Sequence, residues 1–89
     1  MSYRVQVARP ASRQLAVALP EAVATACVEF IFGALAENPY RVGSRLGPSL
    51  LGQWRARRGE YRVRYLIDED RGVVSVIAIE YRRDAYRSP

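Results

Sequence analysis

The chain is predicted to fold as an α+β domain of order β-α-α-β-β-β, with two N-terminal helices packed on one face of a small antiparallel sheet. Three observations carry this. One early segment and three later ones alternate apolar and polar residues, the period of a half-buried strand. The stretch between Pro20 and Pro39 repeats its apolar residues with the period of a helix. Turn-forming residues separate the later strands. The 89 residues, 49% of them hydrophobic, make one domain, residues 1–89, with a modest core.

The elements follow in order. In residues 3–8, Tyr3, Val5 and Val7 face one way and Arg4 and Gln6 the other, as in a short strand. Pro10 suits the first turn of a helix running to about Leu19, and Pro20-Glu21 opens a second helix in the same way. Val23, Cys27, Phe30, Ile31 and Leu35 form its apolar stripe, widened by Ala24, Val28 and Phe32, and Asn38-Pro39 ends it. Residues 40–52 are rich in Gly, Pro and Ser and read as a connector. Strands are expected at 53–57, 61–67 and 73–81, joined at Arg58-Gly59-Glu60 and at 68–72.

The charge pattern bears on function. The chain has fourteen arginines, no lysine and no histidine, and nine of the arginines lie between Arg55 and Arg87. A GC-rich coding preference accounts for the missing lysine but not for this concentration. A net charge of +5 favours an acidic partner: RNA, DNA or an acidic protein segment. Two arginine clusters with interleaved tyrosines, 54–65 and 81–87, favour nucleic acid, because the guanidinium fork fits a phosphate. The absence of histidine and the single Cys27 leave no zinc site, and no other cofactor is implied. Cys27 reads as a small core residue in a reducing compartment. The N-terminus has no apolar signal core and no stretch reaches membrane-spanning length, so a cytoplasmic protein without membrane contact is expected. Gly43 and Gly47 suit turns, and no Gly-Lys-Ser/Thr follows to make a phosphate loop.

Strand phase sorts the arginines. Tyr61, Val63, Tyr65 and Ile67 share one face of their strand, and Arg62 and Arg64 the other. Trp54 and Ala56 share a face, and Arg55 and Arg57 the opposite one. If the helices cover the apolar face, Arg55, Arg57, Arg62 and Arg64 emerge on the uncovered one. The same alternation puts Glu80 in phase with Arg82. Such a face is stable only with acidic partners or a bound anion. Glu60, Glu80 and Asp84 could supply salt bridges, which is the plain structural alternative.

The segments Asn38-Pro39-x-Arg41-Val42-Gly43, Gly52-Gln53-Trp54-Arg55-Ala56-Arg57-Arg58-Gly59-Glu60-Tyr61-Arg62-Val63-Arg64-Tyr65 and Arg82-Arg83-Asp84-Ala85-Tyr86-Arg87 resemble the RelE/ParE toxin superfamily, and its RelE branch in particular. The resemblance extends over nearly the whole chain. It implies a toxin encoded beside a cognate acidic antitoxin, with operator DNA contacted only through the antitoxin complex. RelE-like members cut mRNA in the ribosomal A site. ParE-like members share the fold but inhibit DNA gyrase without nuclease activity. A third possibility is a catalytically silent nucleic-acid-binding partner in a repressor complex.

In the RelE pattern Arg62 and Arg82 match catalytic arginines and Tyr86 a catalytic tyrosine. Of two upstream lysine positions one holds Arg55 and the other Gln53, and Tyr81 replaces the usual histidine of the terminal motif. The chemistry implied is attack by the 2′-hydroxyl of RNA on the adjacent phosphate. Guanidinium donors of Arg62 and Arg82 stabilise the added phosphorane charge. Arg55 and Arg57 hold flanking phosphates, with Arg58 and Arg83 at the rim, as RNA-binding residues. Tyr86, its phenolate favoured by neighbouring arginines, serves as base, with Glu80, Glu60 or Asp84 as alternatives.

Overall fold

The computed structural model describes residues 2–47 and 52–81. Strand β1 is Arg4–Val7. Helix α1, Arg9–Arg13, takes Pro10 in its first turn and continues as a π-helical turn, Gln14–Ala18. Helix α2, Glu21–Phe30, starts after Pro20 and likewise continues as a π-helical turn, Ile31–Leu35. Four strands follow: β2 (Ser44–Arg45), β3 (Trp54–Arg58), β4 (Tyr61–Asp68) and β5 (Val73–Tyr81).

The sheet has the order β1-β5-β4-β3-β2. All neighbours are antiparallel except β1, which pairs parallel to β5 with Arg4 opposite Val73 and Val7 opposite Val76. The α+β layering stands, but the sheet is mixed rather than wholly antiparallel. The two helices supply the long crossover that a parallel neighbour needs. They bring the chain back beside its start, where the Tyr3 N–H donates to the Ala36 carbonyl at 2.8 Å. A four-residue edge strand shows the same alternation whichever way it runs, so direction is not visible in the residues. The second difference is β2, a short edge strand inside the stretch expected to be a connector.

The helices and one face of the sheet enclose a single core. Cys27, Phe30, Ile31 and Leu35 of α2 meet Ala56, Tyr61, Val63 and Tyr65 of the hairpin and Val74, Val76 and Ile79 of β5. Each large aliphatic side chain buried there contributes about 1.5–3 kcal/mol. The expected stripe on α2 is narrower than its composition suggests: Val28 and Phe32 are exposed. Each follows a core residue by one position, about 100° around the helix, and a helix lying on one sheet buries one stripe.

Strand β5 carries a bulge that its apolar run conceals. Arg64 of β4 lies opposite Ala78, and Tyr65 lies opposite Val76, so Ile77 has no partner. The extra residue reverses the facing of everything after it. Val74 and Val76 point to the helices, and so do Ile79 and Tyr81, two and four positions beyond the break. Glu80 is thereby delivered to the open face, opposite Arg62.

Where β1 ends, a side chain takes its place. The Ile79 N–H donates to Gln14 Oε1 at 2.8 Å, and Gln14 Nε2 donates to the Ile79 carbonyl. The Gln14 amide acts as a substitute peptide group, satisfying backbone atoms of β5 that β1 is too short to reach. Between β3 and β4, Gly59 takes a φ of 56°, a left-handed turn position that suits glycine.

Candidate nucleic-acid interface

The pairing of β3, β4 and β5 places the arginines. Arg57 lies opposite Arg62, which lies opposite Glu80, and Arg55 lies opposite Arg64, which lies opposite Ala78. Ala56, Val63 and Tyr65 point into the core, so the intervening arginines necessarily point away from the helices. Arg55 and Arg57 are exposed, and Arg62 and Arg64 are half-buried. The facing of Arg55, Arg57, Arg62 and Arg64 expected from strand phase is the one found.

Like charges directly across a ladder repel. The structure relieves this at one point. Arg64 Nε lies 3.5 Å from Glu80 Oε2, and Arg64 Nη1 donates to Gln53 Oε1 at 3.3 Å. The Nε contact is an ion pair without hydrogen-bond alignment. It is partly solvated, so its contribution is at most about 1 kcal/mol. Gln53, at a position where RelE-like sequences carry a lysine, thus braces a neighbouring arginine. Arg62, between Arg57 and Glu80, makes no ion pair or side-chain hydrogen bond with a described residue.

Arg58 is not brought into this group. It lies opposite Tyr61, on the helix side, and its guanidinium sits 4.5 Å from the centre of the Phe30 ring. This cation–π contact, worth about 0.5–1 kcal/mol at an exposed site, ties the β3–β4 turn to α2. The phase argument stopped at Arg57, and Arg58 is the next position, hence the opposite face. Arg82, Arg83, Asp84 and Tyr86 lie outside the described residues.

Two arginines missed in the sequence lie at the β2 edge of the sheet. Arg41 and Arg45, with Arg55 and Arg57, line a cleft of about 380 Å³. They lie in a stretch without apolar–polar periodicity, so the sequence does not say which way they face; the ladder sets Arg45 of β2 opposite Trp54, on the face away from Arg55. The stretch is held down from the core. The buried Tyr65 hydroxyl donates to the Pro39 carbonyl at 2.6 Å. Trp54 stacks on Tyr65 at 6.4 Å and meets Tyr40 edge-on at 5.4 Å.

Proton-transfer groups are few. Burial pushes Tyr61 and Tyr65 up to about 12, so both phenols stay neutral and serve packing. Burial likewise raises the Cys27 thiol to about 11, which makes it a poor nucleophile. Glu60 accepts a hydrogen bond from the Tyr81 hydroxyl at 3.3 Å, and Glu80 is engaged by Arg64. Among the described residues no group of His, Cys, Asp and Glu could hold a metal ion, and no helix is long and apolar enough to cross a membrane.

Known proteins share this architecture. The model of a family described as the ParE toxin of type II toxin-antitoxin systems, parDE, matches residues 7–86. The chain is 47% identical over 85 residues to Toxin RelE of Mycobacterium tuberculosis, covering 96% of this chain and 87% of that protein. It is 41% identical over 87 residues to Toxin RelG of the same organism, covering 98% and 99%. Its fold superposes on a chain of the crystal structure of the toxin-antitoxin complex RelBE2 of M. tuberculosis with a TM-score of 0.88, at 39% identity, covering 92% of this chain and 93% of that one. With a family match spanning most of its length and relatives this similar, the chain belongs to the ParE toxin family of type II toxin-antitoxin systems, in the RelE/ParE superfamily that its motifs resemble.

Proposed function

We propose that the chain is a ribosome-dependent endoribonuclease that cleaves mRNA, inhibits translation in the cytoplasm and is held inactive by a cognate acidic antitoxin. The observation that carries this reading is Arg62: a half-buried guanidinium in a row of arginines, without a described acidic partner of its own. In the reaction the 2′-oxygen attacks the adjacent phosphorus and the bond to the 5′-oxygen breaks; the leaving 5′-oxygen takes a proton from water, giving a 2′,3′-cyclic phosphate and a free 5′-hydroxyl. Negative charge builds on the phosphoryl oxygens, and donors fixed beforehand favour that state over the ground state. Arg62, with Arg82 from the terminal motif, supplies those donors. The Tyr86 phenolate accepts the 2′-hydroxyl proton. Gln53 and Tyr81 stand where RelE-like sequences often have lysine and histidine, and arginine does not give up its proton. The ribosome therefore has to supply much of the orientation of the message.

The antitoxin follows from the solved relatives, which are toxin-antitoxin complexes. A flexible acidic segment laid on the arginine face would order on contact and neutralise it. A second reading is gyrase inhibition without catalysis, favoured by the description of the matching family as ParE toxin.

Mapping message ends on translating ribosomes separates the two. The parent protein is expected to produce new ends. Arg62→Ala is expected to lose about 10²–10³-fold in cleavage rate, the scale of one oxyanion donor, while still binding ribosomes. Tyr86→Phe is expected to cut slowly at every pH with unchanged affinity; cleavage at the parental rate moves the base to Glu80. Absence of new ends with the parent, together with inhibition of gyrase supercoiling, overturns the nuclease reading.

A further inference from the structure

We propose that Arg64 is a positioning residue for Arg62: by holding the Glu80 carboxylate diagonally across the ladder, it keeps that carboxylate off Arg62 and leaves the Arg62 guanidinium open to the phosphate. This rests on the nuclease reading above, in which Arg62 is a transition-state donor, and adds a residue that acts through it.

The first argument is the choice of partner. Arg62 stands directly opposite Glu80, whereas Arg64 stands opposite Ala78. Directly opposed residues have Cβ atoms about 4.5–5.5 Å apart, and diagonal ones about 7–8 Å. Glu80 nevertheless turns to the diagonal arginine. Its Oε2 lies 3.5 Å from Arg64 Nε, and no ion pair joins it to Arg62.

The second argument is what favours Arg64. From β3, Gln53 Oε1 accepts from Arg64 Nη1 at 3.3 Å, while the Nε edge of the same guanidinium is turned to β5. Arg64 Nε is closed to water and has no aligned hydrogen-bond acceptor, so the neighbouring carboxylate is what offsets its burial. A lysine at position 53, which the RelE pattern carries, accepts no hydrogen bond and would repel Arg64. Gln53, Arg64 and Glu80 thus form one diagonal row over three strands. The row ends on the acidic group that stands across from Arg62.

The third argument is the consequence for Arg62. On its other side Arg62 faces Arg57, a repulsion that a carboxylate would relieve. A guanidinium paired in that way must release its carboxylate before it can donate to a phosphoryl oxygen, and a carboxylate beside it repels the phosphate. With Glu80 drawn to Arg64, the Arg62 donors stay uncommitted.

The test is a double-mutant cycle on message cleavage by translating ribosomes. Arg64→Ala is expected to lower the maximal rate about fivefold, the factor of one partly solvated ion pair. Arg64 is half-buried, so Arg64→Met, which keeps an aliphatic stem over the sheet, is run beside alanine and is expected to behave alike. Arg64→Lys keeps a charge for Glu80 and is expected to retain most of the rate. Arg64→Ala/Glu80→Gln is expected to regain what Arg64→Ala lost. Glu80→Gln should therefore change the rate more favourably without Arg64 than with it, by about fivefold. An equal effect in both backgrounds overturns the proposal, because Arg64 then acts independently of Glu80. So does a double variant slower than Arg64→Ala, which makes Glu80 itself the base.

A second readout does not depend on cleavage. In the free protein, exchange of the Arg62 Nε proton with water, followed by NMR, is expected to slow in Arg64→Ala and to return to the parental rate in the double variant. Unchanged exchange in Arg64→Ala and in Arg64→Met overturns the proposal. A parent that cuts message while exchange stays unchanged in the variants sinks the Glu80 assignment alone. Slowed exchange that the double variant reverses, in a protein that cuts no message, sinks the nuclease reading and keeps the pairing.

Discussion

The centre and the β2 edge of the open face are built from the same residue type and treated oppositely. At the centre, Arg62 and Arg64 are half-buried, Glu80 answers Arg64, and Gln53 braces it from β3. At the edge, Arg41, Arg45, Arg55 and Arg57 are exposed and line a cleft without a carboxylate among the described residues. Partial burial between β3 and β5 narrows the geometries open to Arg62, and donors fixed beforehand are what stabilising a transition state requires, while the counter-charge goes to its neighbour Arg64. Exposure without a counter-charge leaves attraction for a polyanion and a strong dependence on salt, which is what capturing a long substrate requires. The bulge at Ile77 makes the difference possible, because without it Glu80 would point to the core.

The largest expected effect on this contrast comes from Gly43→Ala. The new methyl cannot coexist with the Tyr65 hydroxyl and the Arg55 carbonyl, so the 41–46 segment must lift. A loss of about 1–3 kcal/mol is expected, the usual cost of overpacking, read as a lower urea midpoint. An alanine variant as stable as the parent would mean that the segment is not pressed onto the core.

Arg57→Glu gives the edge the counter-charge of the centre. Its carboxylate faces Arg62 across the ladder and replaces a repulsive pair with an attractive one, worth about 0.2–1 kcal/mol. The variant is expected to melt slightly higher and to bind RNA far less. A lower melting temperature would show that repulsion between Arg57 and Arg62 is already dissipated in solvent.

The smallest effect concerns a carboxylate satisfied by neutral donors. Glu69 Oε1 accepts from the hydroxyls of Tyr40 and Tyr3, each at 2.7 Å, and these bonds, Tyr40 first, hold its pKa below the usual glutamate value. A carboxyl with a lowered folded pKa contributes stability above its unfolded value and loses it as pH falls through the folded one. Glu69→Gln should therefore melt slightly lower than the parent at neutral pH, and the gap should close in acid. Melts across that range check it, and a gap that persists below both values would assign the effect to packing.

Helix starts at Pro10 and Pro20, the core stripe on α2 and the facing of Arg55, Arg57, Arg62 and Arg64 were legible because each follows from a local period or a backbone restriction. The likeness of the 53–65 segment to RelE-like toxins was legible for the same reason: a β-hairpin is local, and its motif is contiguous. Four features were not. The parallel direction of β1, the bulge in the largely apolar β5, the Gln14 amide on Ile79 and the Arg41–Arg45 cleft each join residues far apart in the chain or depend on a register that alternation leaves open.

By itself, the amino-acid sequence determined the layers of this protein, the side of the sheet on which its guanidiniums gather and the superfamily whose motifs it carries. Periodicity selects a face, and the helices can cover only the apolar one. Tertiary structure alone decided which of those guanidiniums acquire a counter-charge. That depends on which residues stand opposite in the ladder and on one unpaired residue in β5, and register is set by packing across the whole sheet.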